Sequence, residues 1–308
     1  FYRCSLSRWW RSKLHTTYTV LMNYRNIISQ LSACYDPGEA RAITRMVLER
    51  RFALSWTDVL CRGIETMSEK DKAELTGIIG RIADGEPVQY VLGEAEFCAR
   101  IFHVEPRVLI PRIETEELIT QVLTSIYGCR QPLRIMDIGT GSGCIAISID
   151  KALEETNTDY VVDAIDISAD AIRIAKGNAT QLGATHTNFI KTDILNEAQT
   201  ALLSTDYSVI VSNPPYICNK ERAEMDSHVI DHEPHSALFV PDNDPLLFYK
   251  AITHFAKGHL LSGGKLLFEI NRAYGEETAD VLRSYGFQEV AVIKDQFGND
   301  RIVKGLLP

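Results

Sequence analysis

The tetrapeptide Asn213-Pro214-Pro215-Tyr216 places a carboxamide, two prolines and a phenol directly after a predicted strand. The prolines fix two φ angles and restrict the residue before each, so this loop is predicted to be stiff. The side-chain carbonyl of Asn213 and the backbone carbonyl of Pro214 can accept both hydrogens of a planar NH2 group and orient its nitrogen lone pair. The ring of Tyr216 can lie against the same target and favour a nearby positive charge. The purely structural alternative is an Asn-Pro turn.

A second group with chemical potential is the glycine-rich turn Asp137–Gly143, predicted where a buried strand ends and a helix begins. Glycines at such a junction permit a tight turn and a close approach of a ligand to the backbone. The spacing is G-x-G-x-G, whereas a dinucleotide fingerprint requires its third glycine one place later, at Cys144. A pyrophosphate-binding loop is therefore disfavoured. The predicted cofactor-binding residues of this turn are Gly139, Thr140, Gly141, Ser142 and Gly143.

Two acids follow the next two predicted strands. Asp166 can accept hydrogen bonds from both hydroxyls of a ribose. Asp193 can accept one from the exocyclic amine of adenine, with Ile194 packed on the ring, although aspartate is also a common turn residue. Together with the glycine turn and Asn213, these residues predict a pocket for an adenosine without pyrophosphate, as in S-adenosyl-L-methionine. The sequence thus predicts methyl transfer to a planar nitrogen.

The elements that must position these residues alternate between strand and helix from Leu133 onward. Such alternation predicts parallel βαβ units in a doubly wound α/β sheet. The final two β-like segments, 289–293 and 301–304, are predicted to pair antiparallel at an edge of the sheet.

The N-terminal third has a different pattern. Apolar residues recur at helical spacing between Asn23 and Ile82, and Ser68 is a candidate N-cap of a helix that ends near Ile82. We predict a helical-bundle domain over residues 22–95, a β-hairpin connector over 96–117 that is extended from Phe97 to Val108, and a catalytic domain over 118–308. Residues 1–21 contain no acid and several arginines, which is typical of a transit peptide; translated upstream sequence before Met22 is the alternative.

The composition of the chain excludes several classes of protein. The 308 residues carry a formal net charge of −9, which argues against binding along a nucleic-acid duplex. The seven cysteines are dispersed without a C-x-x-C pair, as expected for reduced thiols, and no apolar segment is long enough to cross a membrane.

His228, His232 and His235 suggest a metal site, but Pro234 interrupts the helix they would need, and methyl transfer requires no metal. Cys144 could have a lowered thiol pKa at a helix start, although a packing role is favoured.

After Met22 the chain resembles the HemK/PrmC-type protein-(glutamine-N5) methyltransferases. The glycine turn, Asp166 and the tetrapeptide are similar to the family's cofactor loop, ribose acid and catalytic motif. Since DNA adenine methyltransferases share the tetrapeptide, the more specific similarity is the linker, residues 87–93, 96–97 and 109–116. Further family-like segments are Glu233-Pro234, Ala237-Leu238 and Phe268-Glu269.

The resemblance implies an α/β, Rossmann-like class I methyltransferase fold with S-adenosylmethionine as cofactor. It also implies, as protein substrate, the glutamine of the Gly-Gly-Gln motif in class-I peptide chain release factors. A ribosomal-protein glutamine or a nucleic-acid adenine remains an alternative target. Two departures are Ile113, in place of a common proline, and Ile194, where an aromatic residue often packs on adenine; both predict altered cofactor affinity rather than lost activity. A cytoplasmic location is expected, or an organellar one if the leader is a transit peptide.

Overall fold

The computed structural model describes residues 23–129, 131–156, 158–204 and 206–308. The expected leader lies outside these residues. The described chain divides into two compact units, residues 23–92 and 93–308, each with its own core. Among the described helices, none combines the length and the hydropathy that a membrane span would require.

The first unit is entirely helical. Its helices are α1 (Tyr24–Leu31), α2 (Pro37–Phe52), α3 (Trp56–Leu60), α4 (Gly63–Thr66), α5 (Glu69–Ala83) and α6 (Val88–Leu92). Side-chain caps define the starts of the long helices: Asp36 accepts from the backbone of Gly38 at 2.7 Å, and Ser68 from that of Asp71 at 3.1 Å. The predicted helical pattern and the Ser68 cap are therefore confirmed.

The apolar residues that recur along α2 and α5 form the core of this unit. Val47, Leu75 and Ile82 are fully buried, and Ile27 of α1 packs into the same cluster. Burial of this face, rather than helix propensity, stabilises helices this short.

The second unit is an α/β domain. Its elements are β1 (Glu94–Phe97), β2 (Arg100–His103), α7 (Thr115–Ile126), β3 (Leu133–Ile138), α8 (Cys144–Leu153), β4 (Tyr160–Asp166), α9 (Ala169–Leu182), β5 (Thr187–Lys191), α10 (Glu197–Thr200), β6 (Tyr207–Ser212), β7 (Ile217–Cys218), α11 (Ser227–His232), β8 (Phe239–Val240), α12 (Leu247–His259), β9 (Leu260–Glu269), α13 (Gly275–Ser284), β10 (Gln288–Lys294) and β11 (Asp300–Leu306).

The main sheet has the strand order β10-β11-β9-β6-β3-β4-β5. Strands β5, β4, β3, β6 and β9 are parallel, and β11 pairs antiparallel with both β9 and β10. The predicted doubly wound fold and the antiparallel pair at one edge are confirmed. Side chains alternate between two apolar layers: Ile135 packs with α7 and α8 on one face, and Met136 with α12 and α13 on the other.

The chain order of the strands creates a topological switch point. From β3 the chain moves to β4 and β5 on one side, then returns to β6 on the other side of β3. The glycine turn follows β3 and the tetrapeptide follows β6. In open α/β sheets, ligands bind at the carboxyl ends of the strands at such a point.

The structure differs from one local prediction in the bounds of the extended segment. The sequence predicts an extended connector from Phe97 to Val108. In the structure the hairpin pairs Glu94–Phe97 with Arg100–His103, and the chain after it is irregular. The turn consists of Cys98 and Ala99, both at positive φ, +48° and +55°. A two-residue turn of this kind matches the twist of the strands, but these residue types do not signal it in the sequence.

Candidate active site

A cavity of about 350 Å³ opens at the carboxyl ends of β3 to β6. All of its lining residues belong to the second unit. Eight of the residues predicted from the sequence line it: Gly139, Gly141, Asp166, Asp193, Ile194, Asn213, Pro214 and Pro215. We refer to it below as the cofactor cavity.

The glycine turn presents its backbone to this cavity. Gly139 and Gly141 have φ angles of +78° and +55°, and a Cβ added to either would meet no atom within 4 Å. The turn is anchored by two backbone bonds, from Gly139 and Thr140 to the carbonyl of Ile165, at 2.9 and 3.0 Å. The open space beside the two glycines is therefore free for a ligand to approach the backbone.

The other three turn residues face inward instead. The hydroxyl of Thr140 donates to the buried Asp137 carboxylate at 2.6 Å. Ser142 is buried, and its carbonyl accepts from the amide of Asn178 on α9 at 2.8 Å. A Cβ on Gly143 would lie 2.9 Å from Ile147 and 3.0 Å from Ala175. Thr140, Ser142 and Gly143 thus shape the turn without lining the cavity.

Asp166 ends β4 beside the turn. One carboxylate oxygen accepts from the backbone of Gly141 at 2.9 Å and the other from that of Ser168 at 2.8 Å. Burial raises the pKa of Asp166, and these two hydrogen bonds oppose the increase. Each oxygen keeps a lone pair, so the carboxylate can also accept from the hydroxyls of a ribose.

Asp193 and Ile194 lie at the next strand end. Oδ1 of Asp193 accepts from the backbone of Leu195 at 2.9 Å in a local turn, while the residue still lines the cavity. Ile194 is half-buried against the core, and Phe248 and Ile252 of α12 line the same cavity. These apolar side chains suit a purine ring. The sequence analysis did not identify Phe248 and Ile252, whose spacing of four on a helix is also the ordinary spacing of core residues.

The tetrapeptide separates this cavity from a second one of about 290 Å³. Asn213 and Pro214 line both cavities, whereas Tyr216 lines the second cavity and not the cofactor cavity. Leu109 and Arg112 also line the second cavity, which we call the acceptor cavity.

Buried polar groups behind the tetrapeptide hold it. Nδ2 of Asn213 donates to the hydroxyl of Thr115 at 3.3 Å, and that hydroxyl donates to Oε2 of Glu269 at 2.7 Å. The hydroxyl of Tyr216 donates to Oε1 of Glu269 at 3.3 Å, and the amide of Asn271 donates to the carbonyl of Tyr216 at 3.2 Å. Burial raises the pKa of Glu269, with the Thr115 hydrogen bond and Arg301 opposing the increase.

Comparison with known proteins agrees with this architecture. A family model described as "PrmC N-terminal domain" matches residues 24–93, and one described as "Methyltransferase domain" matches residues 130–240. The chain is 43% identical over 277 residues to the release factor glutamine methyltransferase of Bacteroides thetaiotaomicron, covering 90% of this chain and 96% of that protein. It is 38% identical to the protein of the same name from Flavobacterium psychrophilum, covering 92% and 98%.

The chain belongs to the release factor glutamine methyltransferase family. This confirms the resemblance inferred from the sequence. Among solved structures, the hMettl16 catalytic domain in complex with the MAT2A 3'UTR hairpin 1 shares 16% identity at a TM-score of 0.52, covering 91% of this chain and 90% of that one. At this identity the similarity shows the shared methyltransferase fold alone.

Within this family member, the linker residue Arg112 forms an ion pair with the buried Glu233 at 2.5 Å. The second carboxylate oxygen of Glu233 accepts from the backbone of Ile110 at 3.3 Å. This pair fixes the wall of the acceptor cavity. The departure at Ile113 leaves an exposed side chain, which does not line either cavity.

The structure also places two other features considered in the sequence analysis. Desolvation raises the pKa of the Cys144 thiol to about 12, so this thiol packs in its protonated form. Of the three histidines considered as metal ligands, His235 contacts the carbonyl of Ile230 at 2.8 Å. Across the described ranges, no group of three histidine, cysteine or acidic residues is arranged to hold a metal ion.

Proposed function

We propose that this chain transfers a methyl group from S-adenosyl-L-methionine to the side-chain amide nitrogen of the glutamine in the Gly-Gly-Gln motif of class-I peptide chain release factors. The observation that carries the proposal is the position of Asn213 and Pro214, which line both the cofactor cavity and the acceptor cavity. Such a shared wall lets an amide nitrogen in one cavity face a methyl donor in the other.

The residues of the cofactor cavity fit S-adenosylmethionine. Asp166 would accept from the ribose hydroxyls, Asp193 from the adenine amine, and Ile194 would pack on the ring, while Gly139 and Gly141 admit the ligand to the backbone. When bound, this cofactor supplies an electrophilic methyl group on a sulfonium. The absence of a phosphate-binding spacing in the turn agrees with a ligand that has no pyrophosphate.

The tetrapeptide orients the acceptor. The side-chain oxygen of Asn213 and the backbone carbonyl of Pro214 would accept the two N–H bonds of the glutamine amide, which reduces delocalisation of the nitrogen lone pair and directs it toward the methyl group. On transfer the N–CH3 bond would form as the S–CH3 bond of the cofactor breaks, and the nitrogen would then lose one proton to water. Because the proton leaves after transfer, no strong general base is required.

A protein substrate agrees with the charge of the chain. A net charge of −9 disfavours contact with a nucleic-acid backbone, whereas it does not oppose a protein surface. The helical first unit is proposed to bind the release factor. This function implies a cytoplasmic protein, or an organellar one if the basic leader is a transit peptide.

The test is incubation with methyl-labelled S-adenosylmethionine and a purified release factor, followed by mass mapping of the label. The matched control is the same release factor with glutamate in place of the Gly-Gly-Gln glutamine. Label at that glutamine, and none in the control, supports the proposal. Label on a ribosomal-protein glutamine, DNA or RNA, with none on the release factor, overturns it.

A further inference from the structure

Three side chains from distant parts of the chain form one continuous hydrogen-bonded series. Glu269 ends β9, Thr115 begins α7, and Asn213 follows β6. The Thr115 hydroxyl lies 2.7 Å from Oε2 of Glu269 and 3.3 Å from Nδ2 of Asn213. Glu269 and Thr115 are 2% and 3% exposed, so water does not compete for these bonds.

The direction of these bonds follows from the number of hydrogens available. A threonine hydroxyl has one hydrogen, and both oxygens of Glu269 act as acceptors, Oε2 from Thr115 and Oε1 from Tyr216. Thr115 therefore donates its hydrogen to Glu269 and has only lone pairs left for Asn213. Asn213 must then present its NH2 group to Thr115, which directs the side-chain oxygen away from the series.

The same carboxylate also holds the other end of the tetrapeptide. Oε1 of Glu269 accepts from the hydroxyl of Tyr216 at 3.3 Å. A buried carboxylate needs such donors to compensate for the loss of hydration. One acid thus accepts from Tyr216 directly and acts on Asn213 through Thr115.

We propose that Glu269 is a positioning residue which, through Thr115, fixes the carboxamide of Asn213 with its oxygen toward the acceptor amide. This inference rests on the proposed function, since it assigns the origin of the acceptor's orientation. If Glu269 could donate, Thr115 would be able to donate to the oxygen of Asn213, and the carboxamide could turn by half a rotation. Its NH2 group would then face the NH2 group of the substrate, two donors without an acceptor.

The test uses three single variants and one double variant. Thr115→Val keeps the shape of the side chain and removes the hydroxyl, Thr115→Ser keeps the hydroxyl, and Glu269→Gln introduces a donor. We expect Thr115→Val and Glu269→Gln to lower kcat by about 10- to 100-fold. The KM for the release factor and the Kd of the cofactor should stay within about threefold, because Thr115 and Glu269 line neither the cofactor cavity nor the acceptor cavity. Thr115→Ser should retain kcat within the same threefold range.

The double variant Thr115→Val/Glu269→Gln tests whether the two residues act on Asn213 through the same hydrogen-bonded series or affect kcat independently. If both residues act through Asn213, the double variant loses no more kcat than the more severe single variant. If the fold-losses of kcat in the two single variants multiply in the double variant, the proposal is overturned. Unchanged kcat in Thr115→Val also overturns it.

A spectroscopic readout separates this inference from the proposed function. The NH2 signals of Asn213 in an amide NMR spectrum, assigned by their loss in Asn213→Ala, should shift in Thr115→Val and remain in place in Thr115→Ser. Unmoved signals in Thr115→Val overturn the inference even where the wild type is active. A wild type that does not methylate the release factor overturns the proposed function, while the NMR comparison still decides the orientation of Asn213. If Thr115→Val does not fold, the shift is sought in Glu269→Gln, with the same two outcomes.

Discussion

The backbone N–H of Gly141 donates to a carboxylate oxygen of Asp166 at 2.9 Å, which joins the turn after β3 to the end of β4. The other oxygen of Asp166 accepts from Ser168 at the start of α9. The carboxylate is thus held in a fixed orientation before any ligand arrives. Preorganisation of this kind reduces the entropy that must be lost on binding.

Substitution of this acid should weaken cofactor binding. In Asp166→Asn, the NH2 group must face one of the two backbone donors, and an acceptor for the ribose is lost. We expect the Kd for S-adenosylhomocysteine, measured by calorimetry, to rise about 10-fold or more, since hydrogen bonds to charged groups contribute roughly 1.5–3 kcal/mol each. The matched control is Asp159→Asn, an exposed aspartate directly before the start of the same strand. Equal affinity in both variants would contradict the role of Asp166.

Two glycines of the same turn should differ in what their substitution impairs. Gly143→Ala adds a Cβ that contacts Ile147 and Ala175 at φ +84°, so it should destabilise the fold by about 1 kcal/mol for the backbone strain and roughly 2 kcal/mol more for the contacts. Gly141→Ala has the strain alone, but its Cβ occupies space beside the cofactor cavity. Urea unfolding should therefore rank Gly143→Ala as the less stable variant, and calorimetry should rank Gly141→Ala as the weaker binder. The reverse ranking would contradict the assigned positions.

The buried acid Asp137 should make stability fall as pH rises toward neutrality. Burial raises its pKa to about 7, although the Thr140 hydrogen bond opposes this and the nearby Asp166 adds to it. Between its ordinary pKa of 3.8 and about 7, the unfolded chain has lost this proton and the folded chain has kept it. Over this interval the contribution of Asp137 to the free energy of unfolding decreases by about 1.4 kcal/mol for each pH unit. The loss of stability is complete near pH 7.

Urea unfolding at several pH values tests this for the wild type and for Asp137→Asn, whose side chain stays neutral. As the pH increases from about 3.8 to about 7, the unfolding free energy of the wild type should fall relative to that of Asp137→Asn. A difference that does not vary with pH would show that Asp137 titrates alike in the folded and unfolded chains.

Asn213→Ala should separate turnover from cofactor binding. The substitution removes the side-chain acceptor for the substrate amide, so kcat should fall by about 100-fold or more. Asn213 is one of many residues that line the cofactor cavity, so the Kd of the cofactor should change by only a few-fold, about 1 kcal/mol at most. Methyl transfer and calorimetry on the same preparation provide both measurements. Turnover near that of the wild type would refute the role of the carboxamide.

The glycine turn, Asp166 and the tetrapeptide could be located from the sequence because each lies within a few residues of a strand end. The strands themselves are short, nearly continuous apolar segments, which is typical of parallel strands that are buried on both faces of a sheet. The hairpin from Glu94 to His103 could not be placed correctly, since its turn is made by residues that rarely adopt positive φ. Phe248 and Ile252 could not be separated from ordinary core positions for a related reason: their helical spacing indicates burial, not the ligand that one face meets.

The sequence by itself determined the residue types that can do chemistry and the succession of strands and helices along the chain, because propensity, turn formation and side-chain periodicity are local properties. Only the tertiary structure decided how Asn213 is oriented. Its partner Thr115 lies 98 residues before it in the chain, and Glu269, which accepts from Thr115, lies 154 residues after Thr115. Contacts at such separations depend on which strands become neighbours and on which side chains the packed core shields from water. No periodicity within the chain encodes those two conditions.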